Sequence, residues 1–370
     1  MFALPWTRDS VPHAVIELTR DCNLACRACY RQKTAGFRPL AAILEDVAVI
    51  ERHQRVHTVS LAGGEPTMHP ELVAIVRAVK RRGHRVSLVT NGLVLTAELL
   101  AELKRARLDI VMIHVDEGQI RPDLSDPADI GAVNRLRETI AARVHAHGIA
   151  VGLCTTLYPD SLAHLPDLVG LFLRHPHINF LFATHAVGIR ALVTQVQSGD
   201  AADEPTAGTT NGMVMREMRR RFGLEPYAFI PATKPTSDGE LPCITYTIPV
   251  AHRREEDFLR MHSGRLDRQL VKFSRLLAGR YLYFTPDRLF AHLVQIGVNA
   301  LGSGRFATAV RFLWRARGGP LRLKRLVFEN APRITSEGTV NCCDFCPNST
   351  VRDGRVVPVC LADHAQTLHL

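Results

Sequence analysis

The sequence lacks the features that direct a protein out of the cytoplasm or into a membrane. Residues 1–20 contain no basic stretch followed by an apolar run of signal-peptide length. No uncharged apolar run reaches the ~18 residues that a membrane-spanning helix needs. The nearest run, residues 289–304, is interrupted by His292 and Gln295. We therefore expect a cytoplasmic protein that is not an integral membrane protein.

Aromatic residues are scarce, at 6% of 370 residues, but 46% hydrophobic and 22% charged residues indicate a globular chain. Because the cytosol keeps thiols reduced, nine cysteines without an export signal indicate metal binding or catalysis rather than disulfides. Seven of the nine form two clusters, three near the start of the chain and four near its end. Only Cys154 and Cys243 stand alone.

Positive charge is concentrated in one part of the chain. The net charge is +10, and residues 253–325 contain 16 Lys and Arg against 5 Asp and Glu. Such a block suits an anionic lipid surface, a phosphorylated substrate or a nucleic acid, although a solvated Arg-rich face would look the same. The aromatic residues interleaved with this block are Phe258, Phe273, Tyr281, Tyr283, Phe284, Phe290, Phe306, Phe312 and Trp314.

Short apolar runs alternate with amphipathic stretches between residues 14 and 184, which is the pattern of βα units around a parallel sheet. Six such repeats predict an α/β fold, a partial (β/α)6 barrel of the TIM type. The predicted strands are 14–18, 58–62, 85–90, 110–115, 150–155 and 179–183. The predicted helices are 40–53, 70–82, 97–107, 130–147 and 162–174.

The rest of the chain predicts a helical, basic extension and a small Cys-rich tail. Residues 195–212 are rich in Gly, Ala, Asp, Thr and Pro, a loop composition that ends the barrel. Further helices are predicted at 213–222, 255–277 and 289–300. The predicted regions are a barrel core at 1–194, a linker and barrel-capping region at 195–250, a basic helical region at 251–336 and a Cys-rich tail at 337–370.

The first cysteine cluster has the spacing C-x3-C-x2-C, formed by Cys22, Cys26 and Cys29 directly after the first predicted strand. Three thiolates cannot close the usual tetrahedral zinc site. On a four-iron cluster, however, three cysteines leave one iron open for chemistry. Zinc binding or a redox role of these thiols is the alternative.

This motif, together with Tyr30 and the segment Gly63-Gly64-Glu65-Pro66 after the second predicted strand, resembles the radical S-adenosylmethionine (radical SAM) superfamily over residues 15–184. The resemblance implies a 4Fe-4S cluster on the three cysteines, whose unique iron binds S-adenosylmethionine. It also implies reductive cleavage to a 5′-deoxyadenosyl radical, which abstracts hydrogen from an unactivated C–H bond, with flavodoxin or ferredoxin as electron donor.

The same resemblance implies where the cofactor contacts the chain. Tyr30 would lie near the adenine. Gly63, Gly64 and Glu65 would meet the methionyl ammonium, because glycine permits close backbone approach and a carboxylate pairs with a cation. Pro66 would fix this loop.

Polar residues follow the third and fourth predicted strands, where barrel enzymes place their active sites. By resemblance, Asn91 and Asp116 would contact the ribose and carboxylate of the cofactor, although both could simply cap turns. His114 is expected to be packed at a strand end. Cys154 is expected to be a small buried hydrophobic residue.

The second cysteine cluster offers a C-x2-C pair, Cys343 and Cys346, and a further Cys360. It looks like the auxiliary cluster segments of many radical SAM enzymes, although its spacing departs from the seven-cysteine pattern of peptide-modifying members. The fourth ligand would be Cys342, Cys243 or the substrate. A Cys-Pro step favours a second 4Fe-4S cluster, whereas a structural zinc is the alternative.

The basic block with its aromatic residues is the only indication of a substrate. It favours a lipid or lipid-linked, anionic substrate and peripheral contact with the inner face of the membrane. Maturation of a ribosomally made peptide is the alternative enzymatic function, and a non-catalytic iron–sulfur scaffold or electron carrier is the alternative of another class. No nucleic-acid-binding module is evident, so no nucleic acid partner is expected.

Overall fold

A curved, mainly parallel sheet forms the frame of the molecule, in a computed structural model that describes residues 1–7, 9–189, 192–193, 208–231, 240–252, 257–278, 289–334, 340–341 and 346–368. The strands are β1 (Phe2–Ala3), β2 (His13–Thr19), β3 (Ala25–Cys26), β4 (Thr58–Gly63), β5 (Arg85–Thr90), β6 (Ile110–His114), β7 (Gln119–Ile120), β8 (Ala150–Leu157), β9 (Ile178–His185), β10 (Ala228–Phe229), β11 (Cys243–Ala251), β12 (Leu321–Glu329), β13 (Arg333–Ile334), β14 (Val340–Asn341), β15 (Ser349–Arg352) and β16 (Arg355–Pro358).

Helices connect the strands and cover the sheet. They are α1 (Leu40–His53), α2 (Leu72–Arg81), α3 (Ala97–Arg105), α4 (Ile130–Ala146), α5 (Leu165–Arg174), α6 (Asn211–Phe222), α7 (Arg265–Ala278), α8 (Leu289–Ser303) and α9 (Phe306–Ala316). In α2 the buried residues Leu72, Ile75, Val76 and Val79 recur at helical spacing and form one apolar face. None of the helices in the described part of the chain is long and apolar enough to cross a membrane.

The six predicted barrel strands are confirmed. Strands β2, β4, β5, β6, β8 and β9 pair in this order, and each pair is parallel. Helices α1 to α5 lie between them in the chain, as the apolar periodicity predicts. The helix predicted over 255–277 begins only at Arg265, and residues 253–256 lie outside the described part. The partial (β/α)6 fold therefore follows from the sequence pattern.

The sheet continues beyond these six strands, which the sequence did not predict. Strand β12 pairs in parallel with β9, β11 pairs antiparallel with β12, and β10 and β1 complete the order. Strand β12 lies within the region expected to be helical, and β11 lies within the expected linker. The division into four regions stays a prediction, but its second and third regions each contribute strands to the barrel sheet.

Lys324 explains why β12 was missed. The strand contains three cations, Arg322, Lys324 and Arg325, so the sequence pattern assigns it to the basic block. In the fold Lys324 is fully buried, and its ammonium donates hydrogen bonds to the carbonyl oxygens of Phe172 at 2.5 Å and Ile178 at 2.9 Å. A lysine that caps the end of a neighbouring helix cannot be distinguished from a surface lysine by sequence pattern.

A candidate active site at the cysteine loop

A cavity of about 470 Å³ occupies the inside of the curved sheet. It extends along the strands, because both Arg85 at the start of β5 and Thr90 at its end line it. The cysteines Cys22, Cys26 and Cys29 line one end. All three motif cysteines thus face one shared space at the carboxyl ends of the strands, where parallel barrels place their active sites.

The cysteine loop follows β2 and is fixed by backbone contacts to the far side of the barrel opening. Cys26 ends the short strand β3, which pairs antiparallel with β7 so that Cys26 lies opposite Gln119. The amide of Arg27 donates to the carbonyl of Gly118 at 2.8 Å. The Arg27 guanidinium also donates twice to Asp160, at 2.7 and 2.6 Å. These contacts set the position of Cys26 at the cavity.

Burial favours the protonated form of two of the three motif thiols. Burial raises the pKa of Cys22, and it raises the pKa of Cys26 to about 12. Among the described residues, no three His, Cys, Asp or Glu side chains are arranged around a single metal ion. Three thiols on one loop with an open cavity in front of them fit a four-iron cluster with one accessible iron.

Gly63 and Gly64 are required by close backbone contacts with the residues that lead into the cysteine loop. The amide of Gly64 donates to the carbonyl of Thr19 at 2.8 Å, and that of Glu65 donates to Asp21 at 2.8 Å. A Cβ on Gly64 would lie 1.9 Å from the Asp21 carbonyl oxygen. Gly63 has a φ of +138°, and its Cβ would lie 2.3 Å from the Thr19 carbonyl oxygen. The two glycines therefore hold the start of the cysteine loop in place.

Gly64→Ala is expected to impair the site without unfolding the barrel. Side-chain Cβ atoms do not approach other heavy atoms within 3.0 Å, so the added methyl must push the loop away from Asp21. A displacement of about 1 Å near reacting groups costs on the order of 100-fold in rate. We expect a loss of this size in 5′-deoxyadenosine formation, with reduced iron content after reconstitution. Gly297→Ala is the control, since that position on α8 has no atom within 4 Å; equal iron and activity in both variants would contradict the assignment.

Glu65 connects this loop to the end of β5. Its carboxylate is buried and accepts hydrogen bonds from the Thr67 amide at 3.0 Å, the Thr90 hydroxyl at 2.7 Å and the Asn91 amide at 2.8 Å. The Asn91 side chain in turn donates to Asn23 of the cysteine loop at 2.7 Å. Glu65 and Asn91 thus connect the cysteine loop to the end of β5 through hydrogen bonds. Their predicted contacts with the cofactor stay predictions.

His114 faces the cavity and Asp116 lies behind it, which is the reverse of the arrangement that the sequence suggested. His114, expected to be packed, is half-buried and lines the cavity. The Asp116 carboxylate is buried behind it and accepts from His114 Nε2 at 3.0 Å, the Gly118 amide at 2.9 Å and the Thr156 amide at 3.1 Å. Burial alone would raise the pKa of Asp116, but these hydrogen bonds outweigh it and lower the pKa. Asp116 therefore orients His114, and its cofactor contact stays a prediction.

Tyr30 and Pro66, the other two predicted loop residues, differ in their position relative to the cavity. Tyr30 lines the cavity. Pro66 is buried at the start of a short 3-10 turn, Pro66–Met68, and so supports the loop rather than facing the cavity. Both positions agree with the roles that the family resemblance implies, a ring near the cofactor and a rigid loop corner, which remain predictions.

Buried ion pairs attach the C-terminal tail to the cysteine loop. Glu17 of β2 pairs with Arg31, two residues after Cys29, and with Arg352 of β15. Asp363 pairs with Arg352 at 2.8 Å and with Arg20, two residues before Cys22, at 2.9 Å. We call these five charged residues the tail clamp. It connects both ends of the cysteine loop to the tail.

The second cysteine cluster is described only in part. Cys346 and Cys360 line the same cavity as the first cluster. Cys343 and Cys342 lie outside the described residues. Cys243 is buried at the start of β11 and lies opposite Glu329 in the strand register. The ligand set of a second cluster stays a prediction, but two of its proposed ligands share the cavity with the first.

Two cavity residues were not predicted from the sequence. The buried Glu329 carboxylate at the end of β12 accepts from the Asn348 side chain at 2.6 Å and lies 3.6 Å from the Cys346 sulfur. Burial raises the pKa of Glu329 to about 7. Cys154 is half-buried and lines the cavity, instead of lying in the core as expected. Glu329 was missed because its strand was missed; a polar pair, Glu329-Asn330, at a strand end was the available signal.

Comparison with known proteins identifies the barrel. Residues 16–172 match the family model of the Radical SAM superfamily, and this stretch runs from β2 to α5. This part of the chain is therefore a radical SAM domain. The cofactors of this superfamily are a 4Fe-4S cluster and S-adenosylmethionine. Cys22, Cys26 and Cys29 are the residues that would hold this cluster.

Curated relatives resemble this radical SAM chain over part of their length. It is 27% identical over 174 residues to a tungsten-containing aldehyde ferredoxin oxidoreductase cofactor-modifying protein of Pyrococcus furiosus, covering 43% of this chain and 47% of the relative. It is 39% identical over 104 residues to a probable GTP 3′,8-cyclase of Saccharolobus islandicus, covering 27% of this chain and 33% of the relative. The chain thus spans less than half the length of these relatives.

Solved structures show a weaker likeness. SuiB of Streptococcus suis bound to its precursor peptide SuiA matches with a TM-score of 0.40 and 14% identity, over 57% of this chain and 47% of that one. The protein anSMEcpe with bound AdoMet matches with a TM-score of 0.41 and 15% identity, over 57% of this chain and 60% of that one.

Proposed function

We propose that this radical SAM enzyme cleaves S-adenosylmethionine reductively and abstracts hydrogen from an unactivated C–H bond of a lipid or lipid-linked anionic substrate. The observation that carries the proposal is the cavity itself. The three thiols of the C-x3-C-x2-C motif line one end of this long space, and its walls are mostly apolar. Such a space can hold an extended hydrocarbon chain in front of the cofactor.

When bound, the cluster and S-adenosylmethionine supply the 5′-deoxyadenosyl radical. The chain supplies position and protection. The tail clamp and the Gly63-Gly64 contacts fix both ends of the cysteine loop. Apolar cavity residues exclude water from the space in front of the cofactor and so limit side reactions of reactive intermediates. His114 is the last residue of β6, the fourth barrel strand. Its side chain lines the cavity and is held by a hydrogen bond to Asp116.

The cavity walls favour an apolar substrate with an anionic group. Trp6, Phe180, Leu323 and Val327 form part of one buried apolar cluster and line the cavity away from the cysteine loop. The side chain of Arg325 lines the same cavity. A guanidinium in mostly apolar surroundings suits a phosphate or carboxylate attached to a hydrocarbon.

Maturation of a ribosomally made peptide is the second candidate function. It is supported by Cys346 and Cys360, which line the cavity from the tail and could hold a second metal cluster near a bound peptide. The departure from the seven-cysteine spacing of peptide-modifying members counts against it. Both candidates require the same radical, so the substrate decides between them.

The first experiment is anaerobic reconstitution followed by iron and sulfide analysis and incubation with dithionite and S-adenosylmethionine. We expect 5′-deoxyadenosine to form and the iron content to reach about eight per chain, since two 4Fe-4S clusters contain that number. About four irons plus zinc would make the tail site structural. A fully loaded protein that forms no 5′-deoxyadenosine would support the electron-carrier alternative.

A deuterium experiment then separates the two substrate classes. The loaded enzyme is incubated with a perdeuterated lipid extract or with a deuterated peptide library, and 5′-deoxyadenosine is examined by mass spectrometry. Deuterium transferred from the lipid extract alone supports the proposal, because the hydrogen abstracted from the substrate becomes part of 5′-deoxyadenosine. Transfer from the peptides alone would overturn the lipid assignment and support peptide maturation.

A further inference from the structure

We propose that helices α7, α8 and α9 form a docking surface for an anionic lipid bilayer. Ten of the fourteen exposed large hydrophobic residues in the described chain lie on these three helices. The helices pack side by side, α7 against α8 and α8 against α9. We call this set the three-helix face: Leu266, Phe273, Leu276, Leu289, Phe290, Leu293, Leu301, Phe306, Val310 and Trp314.

The exposed residues of the three-helix face are distinct from the residues that the same helices bury in the core. On α9 the buried residues Ala309, Phe312 and Ala316 belong to an apolar cluster with Ile296 and Ala300 of α8 and Ala251 of β11. The exposed residues Phe306, Val310 and Trp314 recur at four-residue spacing on another side, and Trp314 is 61% exposed. On α8, Phe290 is 79% exposed although the same helix buries Ile296 and Ala300. Helices α8 and α9 each bury other side chains in the core, so their exposed apolar residues are available to a partner.

Only positive charge accompanies this apolar surface. The three helices contain exposed cations, among them Arg268, Lys272 and Arg311. The single acidic residue within the helices is Asp267, which is fully buried and accepts hydrogen bonds from Tyr227 at 2.7 Å and Asn299 at 3.0 Å. Because Asn299 belongs to α8, this carboxylate connects α7 to α8. Arg315 of α9 pairs with Asp257 at 3.4 Å, but Arg268, Lys272 and Arg311 leave the face with a net positive charge that matches an anionic partner.

An anionic bilayer is the occupant that satisfies both properties of the face. Aromatic and aliphatic side chains can enter the headgroup region while arginines and lysines remain among the phosphates. A second copy of the same face would bring like charges together, which opposes association. A nucleic acid would pair with the cations but would leave most of the ten apolar side chains without burial. We therefore commit to the membrane surface.

The test is flotation of the full chain with vesicles of equal parts phosphatidylglycerol and phosphatidylcholine, compared with pure phosphatidylcholine vesicles. Binding is expected to the anionic vesicles and to weaken as salt rises. The double variant Arg268→Gln/Arg311→Gln removes two cations, each of which contributes about fivefold to partitioning, so about 25-fold weaker binding is expected. Phe290→Ala and Trp314→Ala should each weaken binding roughly tenfold through lost apolar burial.

Matched substitutions elsewhere on the surface serve as controls. Arg105→Gln removes an exposed cation on α3, and Val94→Ala removes an exposed apolar side chain between β5 and α3. Both should bind vesicles like the parent, and circular dichroism should show that all variants remain folded. Equal binding to neutral and anionic vesicles, or parent-like binding of the Arg268/Arg311 variant, would overturn the proposal. So would self-association through the face without any vesicle binding.

This inference does not depend on the reaction, and its failure can be distinguished from failure of the proposed function. Flotation uses protein without S-adenosylmethionine or reductant. Loss of flotation in the variants with unchanged 5′-deoxyadenosine formation in solution supports the docking surface. Parent protein that floats but forms no 5′-deoxyadenosine would leave the surface supported and contradict the proposed reaction alone.

Discussion

Cys26→Ala is expected to remove the cavity cluster and to reduce 5′-deoxyadenosine to the level of an enzyme-free control. Cys26 is the middle cysteine of the C-x3-C-x2-C motif, and the pairing of β3 with β7 holds it at the cavity. With two thiols left, a cubane would have two irons without protein ligands and would not be retained. Iron content is expected to fall by about four per chain relative to the parent. Iron analysis and the absorbance of the reconstituted protein measure this directly.

Cys154→Ala is the matched control for this variant. Cys154 lines the same cavity but lies on β8, outside the cysteine loop. It should therefore keep the parent iron content. If Cys26→Ala retained full cofactor cleavage, the assignment of the cluster to Cys22, Cys26 and Cys29 would be wrong. Equal iron loss in both variants would indicate collapse of the cavity rather than loss of a ligand.

Glu17→Gln is expected to lower the free energy of unfolding by about 3–5 kcal/mol, because it leaves the Arg31 guanidinium without its buried anion, whereas Arg352 keeps Asp363. Glu17 is 1% exposed, and its carboxylate contacts both Arg31 and Arg352. Arg31 is itself buried, and burial lowers its pKa to about 10. A buried cation that loses its partner carries the full cost of desolvation. Urea unfolding monitored by circular dichroism measures the change.

The tail clamp gives this variant a second, more specific readout. Because Arg31 lies two residues after Cys29, the loss of Glu17 should also lower iron content at the cysteine loop. Glu45→Gln is the control, since Glu45 forms an exposed pair with Arg52 at 3.1 Å on α1. An exposed pair contributes at most about 1 kcal/mol, so the control should unfold like the parent. A Glu17 variant as stable as this control would show that the clamp does not stabilise the fold.

Short-range patterns made the barrel predictable. The alternation of apolar strands with amphipathic helices located β2, β4, β5, β6, β8 and β9, because each unit buries one face against its neighbours in the chain. The cysteine spacing and the Gly63-Gly64-Glu65-Pro66 segment identified the superfamily for a similar reason. These residues act within single loops, so their chemistry is visible in consecutive positions.

The extension of the sheet could not be predicted in this way. Strand β12 pairs with β9 although more than a hundred residues separate them in the chain. Its buried Lys324 looks like a surface residue until the carbonyl groups of Phe172 and Ile178 surround it. The placement of Glu329 beside Cys346 depends on this same long-range pairing.

The sequence by itself determined the barrel strands, the radical SAM resemblance and the C-x3-C-x2-C motif, because local periodicity and motif spacing encode them. Only the tertiary structure decided that His114 faces the cavity while Asp116 supports it, and that the tail is clamped to the cysteine loop. It also decided that ten apolar side chains of the basic helices remain exposed. The sequence fixes the type of each residue, but the packing of distant segments decides which residues become its partners. Those partners decide whether burial of a polar or charged side chain stabilises or destabilises the fold.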